Sequence, residues 1–449
     1  MRTFLSRIHA RLGDLWWYTI LLFVAQRFGD VINMFVGLWL VPKYVPQQEL
    51  GAVLPLSQFV NLIGLPLGIV AVPFMKYLNV YAERNELGKI KSLLRDAFVW
   101  TGLLAVVTFL VAYFLLPVLF TRMRVASGSL GILIVGISIL TSVSVIFQNA
   151  VQGLKLYSAT VWFNVLAAPF RLVLMLVFMP FRPLSGYFVG QGASPGISVV
   201  GAIWVLRKKL GKAVKAMPYW HEDGKSMLRY ALPIAMGTIV AVVSSSVDQL
   251  IIRHRLSDFD SAGYYMISRF AEISTYFGSA FVVFLFPIVA NKSAKSAESL
   301  RMLRHSVLGT IIGGLFIAAI LWFFGASLLR LQTHWEIYQS LSGHMAFLAV
   351  VNMSTVVSTC LSTYETAQGR FRYLWYVVPI SAVKAIGLYL LTGYAFFEGI
   401  LPTSWMQALA ALNPCRLGFL LMAFFVTNLV LIGFLCVDIF GNRRKLRNE

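Results

Sequence analysis

Twelve stretches of mainly apolar residues dominate this chain, at approximately 17–42, 50–75, 98–120, 130–152, 159–181, 184–206, 230–253, 262–290, 306–329, 343–365, 373–395 and 415–440. Each has roughly the 20 residues that an α-helix needs to cross bilayer hydrocarbon. Hydrocarbon offers no water to backbone N–H and C=O groups, so a crossing segment must satisfy them internally, as a helix does. The expected fold class is therefore an all-α polytopic membrane protein with about 12 transmembrane helices. Composition agrees: of 449 residues, 58% are hydrophobic and 12% charged, about half the charged fraction of soluble domains.

The formal net charge of +20 would suit nucleic acid. Here the cations lie between apolar runs, where they set membrane orientation instead, so no nucleic acid partner is expected. With the N-terminus taken as cytosolic, 26 Lys and Arg fall in inside segments and seven in outside loops: Lys43, Arg122, Arg124, Arg182, Arg253, Arg255 and Arg330. That asymmetry predicts that both termini are cytosolic. The sixth stretch has a polar, small-residue middle, "GQGASPG", which must pack against protein or line water. Without it "RKKLGKAVK" would lie outside, so the cation count supports this span too. Phe4, Leu5, Ile8, Leu12 and Leu15 recur at helical spacing, as in a short helix lying on the membrane surface over residues 1–15. Cys360, Cys415 and Cys436 are scattered and the histidines have no ligand spacing, so neither a metal nor a cofactor is expected.

The longest polar inside segment, 207–229, divides the spans six and six and reads as a cytosolic linker. An N-terminal lobe over 1–206 and a C-terminal lobe over 230–449, ending in a basic tail, follow from it. The halves resemble each other. Asp30 lies in a span that exits before "QQELGAVLPLSQFV", and Asp248 in one that exits before "DSAGYYMISRF". The joints "VQGLKLYSATVWFNVL" and "YETAQGRFRYLWYVV" both read Gln, Gly, basic, aromatic. Two parallel six-span repeats are the simplest account.

These motifs, in this order, carry a resemblance over essentially the whole chain. The arginine-bearing first span, "ELGAVLPLSQFV", "QGLKLYSATVWFNVLAAPFRLVLML", "AGYYMISRF" and "ETAQGRFRYLWYVVPISAV" resemble the polysaccharide-transporter branch of the multidrug/oligosaccharidyl-lipid/polysaccharide (MOP) exporter superfamily, the Wzx-type O-antigen and capsule flippases. The resemblance implies two six-helix, pseudo-symmetric lobes around a cavity that opens alternately to either side. It also implies transport of undecaprenyl-diphosphate-linked oligosaccharides across the bacterial inner membrane, with membrane lipids and proteins of the assembly pathway as partners. Two relatives compete within this resemblance: the drug or cation exporters of the same superfamily, and the peptidoglycan lipid II flippases, which usually have fourteen spans and against which twelve spans argue. A membrane-embedded polymerase or glycosyltransferase is not expected, because the outside loops are short and the longest, about 396–414, holds one acid, Glu398.

Seven charged side chains lie at least one helical turn inside the ends of the spans: Arg27, Asp30, Arg171, Asp248, Arg269, Glu272 and Lys384. The shared three-residue spacing of Arg27–Asp30 and Arg269–Glu272 puts each pair on one helix face. Such pairs are either structural locks or the lining of an aqueous path. Four cations against three acids leave a positive excess, and a diphosphate suits Arg forks and Lys point charges. Arg27, Arg171, Arg269 and Lys384 are thus candidate substrate contacts. Gln148, Asn149 and Gln152 close span four on one face, where their amides suit either sugar hydroxyls or helix–helix hydrogen bonds. Asp30, Asp248 and Glu272 are candidates for ion coupling, since protonation of an acid can bias two conformations.

Overall fold

A computed structural model describes residues 21–68, 71–125, 128–154, 156–211, 220–290, 296–333, 335–391 and 416–448. The surface helix expected over 1–15, the start of the first span and the loop at 396–414 lie outside the described residues. The protein is 91% helical and has no strand among the described residues, as hydrocarbon demands.

The helices in chain order are α1 (Leu21–Tyr44), α2 (Gln47–Leu67), α3 (Ala71–Glu83), α4 (Leu87–Arg122), α5 (Gly128–Gly153), α6 (Tyr157–Phe178) and α7 (Pro183–Leu210). They continue with α8 (Trp220–Arg255), α9 (Asp258–Ala290), α10 (Ser296–Leu329), α11 (Ser342–Ala367), α12 (Leu374–Leu391) and α13 (Arg416–Asn448). Nine segments among the described residues are long and apolar enough to cross a membrane. The helices α8, α9 and α12 stand where the other three spans are expected.

The chain forms two compact units. The first holds Met1–Val36 and Leu56–Val242, the second Gly37–Pro55 and Val243–Glu449. Both α1 and α8 therefore change unit part-way along their length. In α1 the change falls in a π-helical stretch, Val36–Leu40, where the ordinary hydrogen-bond ladder is already broken.

In the first unit α7 packs against both α5 and α6. The "GQGASPG" stretch explains how. Among its residues Gly190 lies over Met175 and the Arg171 carbonyl, and further along α7 Gly201 sits under the Phe163 ring. Small residues let helix backbones approach closely where burial in lipid supplies no hydrophobic drive. The expected need to pack that stretch against protein is met this way. A second cluster, with Tyr81, Ile90, Ile146, Ala150 and Ala202 at its centre, joins α3, α4, α5 and α7.

In the second unit α11 is the central helix, packed on α9, α10 and α13, with Cys360, Tyr364, Leu435 and Ile439 in one buried cluster. Asn428 of α13 donates to Ser354 Oγ at 3.0 Å and Thr355 Oγ1 at 2.9 Å on α11, a polar fastening of two helices in lipid.

The segment Gly37–Pro55 is fastened to this unit by polar contacts. Arg253 is 1% exposed; its Nη1 donates to Asp258 at 2.8 Å and its Nη2 to the Gln48 carbonyl at 3.1 Å. Ser261 Oγ donates to the Gly51 carbonyl at 3.1 Å, and a side chain on Gly51 would meet that hydroxyl at 2.6 Å. Tyr265 donates to the Gly37 carbonyl at 3.1 Å, and Trp39 Nε1 to the Leu331 carbonyl at 2.8 Å. Arg253, counted in the sequence with the cations of an exposed loop, is instead a buried bracket.

Removing that bracket leaves the Gln48 carbonyl without its donor and a void where the largest fully buried side chain stood. Arg253→Ala is expected to destabilise the protein by about 2–4 kcal/mol. Arg253→Lys should recover part of this, because an ammonium can hold Asp258 but lacks the fork that also reaches Gln48. Thermal unfolding of the purified protein in one detergent checks both.

Candidate functional site

In the first unit α1 presents Arg27 and Asp30 as an ion pair 3.1 Å apart, with both side chains about one-quarter exposed. The Arg27 guanidinium also lies 5.2 Å from the centre of the Phe23 ring, one helical turn earlier. Gly29 faces Ala168 of α6, where an added Cβ would lie 3.9 Å away, so this part of α1 runs against α6. One turn further along α6, Arg171 is 9% exposed and within Coulombic reach of Asp30. Three of the predicted residues thus form one group, with two cations and one acid.

The predicted amides lie on α5. Gln148 donates to Ser198 Oγ of α7 at 3.0 Å, and that hydroxyl donates in turn to the Ser194 carbonyl. Gln148 therefore ties α5 to α7. Asn149 and Gln152 are half-buried on the same helix.

The second unit gathers the other four charges. On α9, Arg269 pairs with Glu272 at 2.7 Å, and Tyr276 donates to the second Glu272 oxygen at 3.3 Å. Arg269 also lies 5.1 Å from the centre of the Tyr265 ring. Its stem crosses Gly37, where a Cβ would come within 2.6 Å of Cδ; a glycine is needed there. Between α8 and α12, Lys384 Nζ meets Asp248 Oδ2 at 2.5 Å and lies 4.9 Å from the centre of the Phe424 ring. The other Asp248 oxygen is buried without a hydrogen bond. Tyr264 lies within electrostatic range of Asp248, Arg269 and Glu272 together, so both ion pairs share one neighbourhood.

Sequence spacing shows two of these three pairs, because their members are three residues apart. The Lys384–Asp248 pair spans 136 residues and has no local signal. The tyrosines were overlooked although legible: Tyr265 precedes Arg269, and Tyr276 follows Glu272, by the four residues that place side chains on one helix face.

The fold has solved counterparts. An inward-facing multidrug resistance MATE family transporter of the MOP superfamily matches with a TM-score of 0.70 and 14% identity, over 93% of this chain and 96% of that one. A MATE protein in a bent conformation matches with a TM-score of 0.61 and 12% identity, over 98% and 97%. The lipid II flippase MurJ, in an inward closed conformation, matches with a TM-score of 0.60 and 14% identity, over 94% of this chain and 87% of that one. No family model and no curated protein sequence matches the chain. This is a multi-pass membrane protein that shares the fold of these structures. At such identities the likeness is one of fold.

The Lys384–Asp248 pair yields a separable test. Lys384→Met leaves a carboxylate unpaired among apolar helices and is expected to lower stability by about 3–5 kcal/mol, with less protein in the membrane. Adding Asp248→Asn removes the stranded charge and should restore most of the abundance. Quantifying the single and double variants in membranes decides it: a double variant as scarce as Lys384→Met would show that the pair does not hold α8 to α12.

Proposed function

We propose that this protein is an alternating-access flippase. Its substrate is a polyprenyl-diphosphate-linked oligosaccharide, and its place is the bacterial cytoplasmic membrane, with both termini cytosolic. The product serves surface polysaccharide biosynthesis, such as O-antigen, capsule or exopolysaccharide. The observation that carries the reading is Arg171, a buried guanidinium that stands in one group with the Arg27–Asp30 pair inside the first unit. Two guanidiniums gathered inside the spans suit an anionic substrate, and a diphosphate offers the oxygens that a guanidinium fork engages in pairs.

The MurJ and MATE likenesses support a flippase and a drug exporter alike. The second reading, export of organic cations, calls for an acid that a cationic drug can engage. Three acids well inside the spans are each held by a lysine or arginine: Asp30 by Arg27, Asp248 by Lys384 and Glu272 by Arg269. At these three positions a cationic drug would have to displace the partner already there, which supports the anionic substrate. Coupling would then fall to Asp248, whose protonation would release Lys384.

Arg171 provides the test. In liposomes carrying a polyprenyl-diphosphate saccharide, Arg171→Ala should slow translocation about tenfold or more, since a charge-assisted hydrogen bond contributes roughly 1.5–3 kcal/mol. Protein abundance should be unchanged, and Arg171→Lys should be intermediate because a point charge keeps attraction without the fork. Translocation at the normal rate by Arg171→Ala would remove Arg171 from the path. Uptake of an organic cation by the native protein, with the saccharide lipid left in place, would favour the exporter.

A further inference from the structure

Away from the charged groups, the first unit contains a cavity of about 600 Å³ between α4 and α5, within the range of small-molecule sites. Phe109, Tyr113, Phe114 and Phe120 of α4 form one wall, and Ile132 and Val135 of α5 the other. Tyr113, Phe114 and Ile132 are exposed, so the cavity is open along the side that faces hydrocarbon. The span containing α4 is only 17% buried, the least of the nine. Among the described residues this face of α4 is apolar and exposed; in a membrane, lipid meets it.

Its length and its end select which lipid. The α4 wall from Phe109 to Thr121 rises about 18 Å, close to the roughly 15 Å depth of one leaflet's hydrocarbon. Pro117 in this wall has no N–H to give the turn before it, and Thr121 Oγ1 donates to the Pro117 carbonyl at 2.9 Å. The carbonyl this frees is that of Tyr113, in the groove wall, and Thr121 marks the groove's end. Directly there, within two residues of the lining Phe120 and Val125, stand the exposed Arg122 and Arg124. An apolar trough one leaflet deep, closed at the membrane surface by two cations, matches a lipid with leaflet-length chains and an anionic head. A polyprenyl chain, much longer than one leaflet, fits it less well. We infer that the groove between α4 and α5 is a binding site for an anionic phospholipid, whose acyl chain lies along the aromatic wall and whose phosphate meets Arg122 and Arg124. This site is separate from the proposed transport path and does not depend on it.

The test uses the full-length protein in phosphatidylcholine vesicles containing phosphatidylglycerol with a diazirine in its acyl chain. Photolysis should label peptides from 109–125 and 131–135. Unlabelled phosphatidylglycerol should compete better than phosphatidylcholine, by about fivefold for each arginine engaged. Arg122→Gln with Arg124→Gln should keep the labelling and lose the preference. Ile132→Trp, which fills the groove from its lipid-facing side, should lose the labelling while labelling elsewhere persists. If Ile132→Trp does not fold, the arginine variant decides alone. Equal competition by phosphatidylcholine in the native protein would overturn the inference and leave only annular lipid contact. Labelling absent from these peptides would overturn it as well. Displacement by a polyprenyl phosphate at lower concentration than phosphatidylglycerol would reassign the groove to a carrier lipid's tail.

Discussion

An ion inside a helix bundle costs several kcal/mol unless another ion meets it, and the seven in-span charges of this protein constrain its helices accordingly. Asp248 can be buried only if α12 brings Lys384 to it, which fixes how α8 and α12 stand within the second unit. Arg269 needs Glu272 on its own helix, and its stem needs a neighbour without a side chain, which Gly37 provides. The π-helical stretch from Val36 then carries the Gly37 carbonyl to Tyr265. Much of the glycine and aromatic pattern near these positions follows from where the charges had to go.

Periodicity and span length were enough for the fold class, because twelve membrane-length apolar runs allow little else. Ion pairs within one helix were legible for the same reason: a three-residue spacing leaves the two ends on one face. What was not legible is whatever depends on tertiary approach. Lys384 has no acid within a helical turn, so its partner emerges only once α8 and α12 are packed. Arg253 misled in the opposite direction. Next to Arg255 and at the end of an apolar run it looked like a loop cation, yet it folds inward because Asp258 and the Gln48 carbonyl converge on it. Nothing local to residue 253 encodes the arrival of Gln48, which is 205 residues earlier.

The amides illustrate a subtler limit. Gln148 was readable as a polar residue on one face of α5, but a polar face in a span can look at water or at another helix. The choice falls to Ser198, and Ser198 is set by the small-residue stretch of α7 that brings the two backbones together. Helix-joining amides and substrate-facing amides therefore look alike until the glycines opposite are considered along with them.

The pseudo-symmetry of the sequence reaches the charges, though unequally. In each repeat the first span carries an acid and the fifth a cation near it: Asp30 with Arg171 in the first unit, Asp248 with Lys384 in the second. The second pair is in contact and closes its own balance. In the first, Arg27 pairs with Asp30 one helical turn away on the same helix, and Arg171 stands within Coulombic reach of the same acid. The second repeat has no cation at the position corresponding to Arg27: three residues before Asp248 stands Ser245. The first-span acid is thus shared by two guanidiniums in the first unit and met by one lysine in the second.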